Sequence, residues 1–173
     1  MTAKGLKGLW LLMPLLLAGC DFSRVTVSCY EHIPAGDTGR YLVKDSGIVL
    51  DPDTGVEWYR CAFGQRHTLR GCTGDALLVT YDEVDSMLEE ISTKAGQQWR
   101  LPTESEFLAL KEPQCHVPAM NTNVFPNPLI DNFWVQGERE RANKACAVYT
   151  YNLGRSCRLL GNDPRPFYMV KGG

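Results

Sequence analysis

Residues 9–17 are almost continuously apolar, and no later segment repeats such a run. The run is well short of the roughly 18 to 20 residues that a bilayer-spanning helix needs. Beyond it, apolar positions recur with two different periods. Residues 41–43, 47–50 and 56–62 are short strand-like runs. Asp51-Pro52-Asp53-Thr54-Gly55, between the last two, carries the turn chemistry that closes a hairpin. Val84, Met87, Leu88 and Ile91 then fall three or four apart, on one face of a helix. Thr80 and Glu83 form a capping box ahead of them, Asp82 and Asp85 sit in the first turn, Lys94 in the last, and Gly96 follows as a stop. This predicts a helix over 81–94. Thr103 and Glu106 repeat the box after Pro102 and predict a short helix carrying Phe107, Leu108 and Leu110, ended by Pro113. Residues 115–131, rich in proline and asparagine, read as an irregular but ordered loop. Short strands follow at 133–135, 145–151, 155–160 and 167–171, while residues 21–40 read as a tether whose Val25-Thr26-Val27 adds an edge strand. The order predicts an α+β fold, a twisted antiparallel sheet with two helices to one side and long loops.

The apolar run also has flanks that change its meaning. Lys4 and Lys7 precede it, and the small residues Ala18 and Gly19 follow, as in a secretory signal. A cysteine stands directly after the small pair, and Leu17-Ala18-Gly19-Cys20 resembles the lipobox of bacterial lipoproteins. That resemblance implies cleavage before Cys20 and acylation of its sulfur and new amine. Residues 1–19 are then a signal peptide, 20–40 a lipidated tether and 41–173 the domain. Asp21 follows the anchor, which by the sorting habit of enterobacterial lipoproteins favours the inner membrane facing the periplasm, with the outer membrane as the alternative. Loss of the leader takes the formal charge from −2 to −4, because Lys4 and Lys7 leave with it. Such a domain lacks the basic surface that phosphate-backbone binding needs, so nucleic acid is not an expected partner.

The cysteines follow an informative arithmetic. With Cys20 acylated, Cys29, Cys61, Cys72, Cys115, Cys146 and Cys157 remain, an even set in an oxidising compartment. Six cysteines allow 15 pairings, and sequence does not choose among them. Cys61–Cys72 is preferred, because it closes a Gly-containing loop between strand-like segments. Cys146–Cys157 flanks Asn152-Leu153-Gly154 and would clip two neighbouring strands, which leaves Cys29 with Cys115.

Trp99-Arg100-Leu101-Pro102-Thr103-Glu104-Ser105-Glu106 has a local logic: Leu101 serves as a hydrophobic staple, Pro102 stiffens the approach and Thr103 caps the helix. The segment also resembles the WRLPT-x-x-E stretch of the Lcl C-terminal domain family. Asp51-Pro52-Asp53-Thr54-Gly55-Val56-Glu57-Trp58, Arg60-Cys61-Ala62-Phe63-Gly64-Gln65, Phe125-Pro126-Asn127 with Phe133-Trp134, and the closing Tyr168-Met169-Val170-Lys171-Gly172-Gly173 are similar to further motifs of that family, in order from Ile48 onward. Val135-Gln136 departs from the Ser/Thr-rich sequence that many members place after the aromatic pair. The family is similar to the formylglycine-generating-enzyme and C-type-lectin-like superfamily, so the resemblance implies a disulfide-stapled, C-type-lectin-like domain. Some relatives carry it on adhesins that bind sulfated polysaccharide.

Little in the chain points to catalysis. No two of the six cysteines are closer than 11 residues, which favours bridges over a thiol pair of the formylglycine-generating kind. His32, His67 and His116 lack ligand spacing, so no metal is expected. Glu112-Pro113-Gln114 and Asn162-Asp163 resemble the calcium and sugar ligands of C-type lectins, but the tripeptide ends a helix instead of lying between late strands. Glu104 and Glu106 are two apart on a helix and point apart. Arg100 reads as a structural donor to a carboxylate or carbonyl, and Trp58, Trp99 and Trp134 as core. The loop 121–132 is the expected variable surface. The expectation is an envelope lipoprotein whose domain binds a polysaccharide or an envelope protein, without catalysis or cofactor. An oxidase, or a purely structural subunit of an envelope assembly, is the alternative.

Overall fold

The computed structural model describes residues 27–137, 144–159 and 163–172. The expected signal peptide, Cys20, Asp21 and the expected tether as far as residue 26 lie outside the described residues. Ten strands and three helices are described, in an α+β arrangement whose strand pairs within the sheets are all antiparallel.

The Asp51-to-Gly55 turn joins β2 (Ile48–Asp51) to β3 (Val56–Tyr59), as its residues predict. Asp51, almost fully buried, accepts from Arg40 Nε and Nη2 at 2.9 and 3.0 Å and from the Asp53 N–H, which holds the turn shut. Burial alone would raise the Asp51 pKa, but the hydrogen bonds and charge of Arg40, with the Asp53 N–H and Thr54, together outweigh it and leave the carboxyl below its usual range. Strand β1 (Leu42–Val43) flanks β2 on the outside. On the inside, β10 (Val170–Lys171) inserts between β3 and β6 (Trp99–Arg100), giving the order β1-β2-β3-β10-β6. Strands β7 (Asn132–Val135), β8 (Lys144–Tyr149) and β9 (Gly154–Leu159) form a second, three-stranded sheet. A small hairpin, β4 (Arg66–Thr68) with β5 (Gly71–Thr73), stands apart from both.

Alternation along the strands sorts the core into two clusters. Val49, Trp58 and Val170 belong to one, with Phe107, Phe125, Phe133 and Tyr168. Ile48, Trp99 and Met169 belong to the other, with Val84, Leu88, Trp134 and Phe167. Successive strand residues point to opposite faces, so the five-stranded sheet lies between the clusters. The rings of the first cluster are offset and edge-on: Trp58 meets Phe107 and Phe125 at 5.9 Å, and Phe133 stacks on Tyr168 at 4.8 Å.

Helix α2 (Tyr81–Ala95) matches the periodicity in its apolar spacing and both its ends: Thr80 caps it with Glu83, and Gly96 closes it in the left-handed conformation at φ 59°. It buries Val84 and Leu88 in the second cluster. Helix α3 (Glu104–Leu108) starts at the expected cap but ends two residues short of Leu110, and its Phe107 enters the first cluster. The two helices therefore feed opposite faces of the sheet, where the sequence suggested one side. Leu101 also differs from its expected role as a staple, because it packs with Trp99 in the second cluster, away from Phe107.

Within the expected tether, the described segment forms a helical turn, α1 (Cys29–His32), capped by Ser28. Of the edge strand expected over Val25-Thr26-Val27, Val25 and Thr26 lie outside the described residues. The Cys29 N–H donates to the His116 carbonyl, and Ser28 Oγ donates to that of Val117. The loop after α3 is ordered by such bonds. Asn121 accepts from the Asn123 and Val124 N–H groups, while Arg60 donates to the Asn123 and Val124 carbonyls. Ala119, Met120, Val124 and Phe125 are wholly buried, so only the later part of the expected variable surface, around Leu129 and Ile130, faces solvent.

Three disulfides pin the fold: Cys29–Cys115, Cys61–Cys72 and Cys146–Cys157. The first ties the N-terminal turn to the loop. The second ties the end of β3 to β5, and the third joins directly opposed residues of β8 and β9.

Candidate functional site

Trp99-Arg100-Leu101-Pro102-Thr103 runs from β6 to the cap of α3 and organises one corner of the molecule. Thr103 N–H donates to Glu106 Oε2 at 2.7 Å, and Glu106 N–H donates back to Thr103 Oγ1 at 3.2 Å. The same carboxylate takes a two-pronged bond from Arg100, at 2.8 and 2.7 Å, and Arg100 also donates to the Leu101 carbonyl. Burial would raise the Glu106 pKa, but Arg100 and the Thr103 N–H more than reverse this and hold the carboxyl below its usual range. The hydrogen bonds to Glu106 push Arg100 up in turn. Arg100 is thus the structural donor its position suggested. Pro102 adds the carbonyl that receives the Gln136 N–H at 2.8 Å, which docks the end of β7 beside α3.

Between α2 and β6 this corner opens into a groove of about 1000 Å³. Two local features shape it. Gly96 turns the chain back at the end of α2, with its N–H on the Thr93 carbonyl, and the Trp99 N–H then donates to Ser92 Oγ at 2.9 Å. Docking of Gln136 closes the far side. Val84, Leu88, Trp99 and Leu101 are the buried lining, and Asp85, Glu89, Thr93 and Gln98 are exposed at its margin. With Arg100 paired to Glu106, the side-chain hydrogen-bonding groups that the groove offers outward include the carboxamides of Gln98 and Gln136. Trp134 stands nearby in the same cluster, its Nε1–H donating to the Val79 carbonyl at 2.8 Å.

The remaining motif residues sit elsewhere. Trp58 is in the first cluster, completely buried. Glu104 turns away from Glu106, toward Arg155 at 3.1 Å. Glu112, Pro113 and Gln114 line a separate shallow cleft of about 240 Å³ with His32, Asp37 and Asn121. Asp163 approaches Arg165, and Asn162 lies outside the described residues. Among the described residues, the one convergence of His, Cys, Asp and Glu ligand atoms is Glu104 with Cys146 and Cys157, and both sulfurs are committed to a disulfide. No helix among the described residues is long and apolar enough to cross a membrane.

Sequence reasoning placed Trp99, Arg100 and Leu101 in a meaningful motif but missed the groove they line. Its other wall comes from α2 and from Gln136, and only tertiary pairing brings these together. The Gly96 stop was the signal available, since it marks where the chain must fold back on the helix.

A family model described as the Lcl C-terminal domain matches residues 47–165. No curated protein and no solved structure matches the chain.

Proposed function

The chain belongs to the Lcl C-terminal domain family, and from that premise we propose that it is an envelope lipoprotein, anchored through Cys20, whose C-type-lectin-like domain binds a partner in the groove between α2 and β6. The groove is the observation that carries the reading: it is open, with Trp99 in its buried floor and the carboxamides of Gln98 and Gln136 beside Asp85 and Glu89 at its margin, side chains suited to a glycan or an extended polypeptide. The domain acts by holding that partner, a polysaccharide or another envelope protein, without transforming it. The pairing of Cys29, Cys61, Cys72, Cys115, Cys146 and Cys157 into three bridges supports binding over a thiol-based oxidase.

Photo-crosslinking in intact cells tests this. A photoreactive residue replacing Gln98 should give a discrete adduct, and the same residue at exposed Lys111, away from the groove, should not. Mass spectrometry of the adduct distinguishes protein from glycan. Equal labelling at both positions, or none at Gln98, overturns the assignment of the groove. The anchor has its own test: Cys20→Ser should release the protein from the membrane fraction.

A further inference from the structure

The hairpin of β4 and β5 serves neither the core nor the groove. Its two-residue tip, Leu69-Arg70, joins Thr68 to Gly71, and Leu69 is 101% exposed, more than any other large apolar residue described. The hairpin is nevertheless stiff. Thr68 Oγ1 donates to the Gly71 carbonyl and accepts from the Arg70 N–H. Cys72 is bonded to Cys61 at the end of β3, and the His67 N–H donates to the Tyr59 hydroxyl at 2.9 Å. The His67 ring lies so close to Gly47 that a Cβ there would stand 2.7 Å away, which anchors β4 on the main sheet. A rigid base holding out a bare leucine is a different object from a leucine on a flexible loop.

Its charge is equally one-sided. Arg66 and Arg70 are exposed, and neither has an ion-pair partner among the described residues. Residues 60–74 contain no Asp or Glu, in a chain that is acidic overall. Gly71 rests on Pro126, and the loop leading on from there carries Leu129 and Ile130, 40 and 42% exposed. An exposed apolar tip on a hairpin that carries two unpaired arginines is the pattern that enters the headgroup layer of an anionic bilayer, where cations meet lipid phosphates and the leucine reaches the acyl boundary.

We propose that the β4–β5 hairpin is a second membrane contact, inserting Leu69 into the surface of an anionic phospholipid bilayer with Arg66 and Arg70 on the headgroups. The proposal rests on the anchor at Cys20 for delivery to the membrane. Fully extended, residues 20–26 reach at most about 25 Å, which keeps the domain within one molecular diameter of the lipid. The contact would fix which face of the domain looks at the bilayer.

The full lipidated chain, with Leu69→Cys bearing a nitroxide label, is reconstituted in phosphatidylcholine vesicles with or without phosphatidylglycerol. Accessibility of the label to oxygen and to an aqueous nickel complex is then compared. With phosphatidylglycerol the label should gain oxygen and lose nickel accessibility, and 0.5 M salt or Arg66→Glu with Arg70→Glu should reverse the change. Each arginine should contribute about fivefold to the bound population. A label that stays aqueous while the protein remains on the vesicles overturns the hairpin contact and leaves the anchor standing. Protein that never associates with either vesicle removes the anchor instead. Equal burial in both lipid mixtures overturns the role of the arginines.

Discussion

Helices α2 and α3 begin with the same four-residue device and use it differently. At the head of α2, the Thr80 hydroxyl and N–H both donate to Glu83, and nothing further among the described residues engages that carboxylate: the box faces water. At the head of α3, the Thr103 hydroxyl accepts from the Glu106 N–H, and the Glu106 carboxylate is shared with Arg100 of β6. One box starts a helix. The other starts a helix and fastens it to an edge strand, beside a groove. A motif of two letters at fixed spacing thus gains its structural weight from whatever third residue reaches it.

Truncations of the two helix faces give the largest test of this contrast. Phe107→Ala should cost about 4 kcal/mol, since its ring meets Trp58, Phe133 and Tyr168 and leaves a cavity among them. Leu88→Ala in α2 should cost about 3 kcal/mol, and denaturant unfolding should rank the pair in that order. A reversed ranking would break the view that short α3 is the more deeply integrated helix.

Removal of the caps comes next. Glu106→Ala should lower stability by about 2 kcal/mol, a figure moderated because water reaches Arg100, and should also loosen Gln136 on the Pro102 carbonyl. Glu83→Ala should produce a clearly smaller shift and leave the corner of the groove intact, as read by amide exchange at Gln136. Equal effects from the two substitutions would mean that Arg100 adds nothing to the box.

At the opposite ends the asymmetry reverses. Gly96 occupies the left-handed region at φ 59°, whereas Ala109 ends α3 at φ −66°. Gly96→Ala should therefore cost about 1 kcal/mol. Ala109→Gly should cost less, since it disturbs only the last turn.

Acid gives the smallest and most diagnostic effect. The pKa of Glu106 is lower in the folded protein than in the unfolded chain, so its contribution is complete above the ordinary carboxylate range near 4. It is lost as pH falls through the depressed value. Glu106→Gln should flatten the acid limb of stability against pH more than Glu83→Gln does, and a thermal-melt series from pH 6 to 2 would show it.

The same contrast explains what the sequence reveals. Helix α2, the start of α3, the turn after Asp51, and strands β7, β8 and β9 follow from local signals: a period, a cap, a Pro-Asp-Thr-Gly turn. Of the 15 pairings open to the six cysteines, the structure adopts the one that proximity along the chain favoured. Elements whose reason lies elsewhere in the chain were illegible. Strand β6 is two residues long and is a strand only because β10 lies beside it. The β4–β5 hairpin has no apolar alternation, because its stiffness comes from Cys61, Tyr59 and Gly47. Helical turn α1 lies where only a tether was legible, because Ser28 and Cys29 find partners at His116, Val117 and Cys115, far along the chain. The groove belongs to this second class.

Strand β10 sits between β3 and β6 although it is the last strand in chain order. A chain that emerges from its N-terminal end therefore cannot complete the principal sheet until residues 170–171 arrive. Until then β3 and β6 hold open edges, and both core clusters lack a contribution from residues 167–170. Closure across such sequence distances is slow by nature. The sheet thus stays incomplete through most of the chain's own emergence, and its last two-residue strand is the piece that closes it.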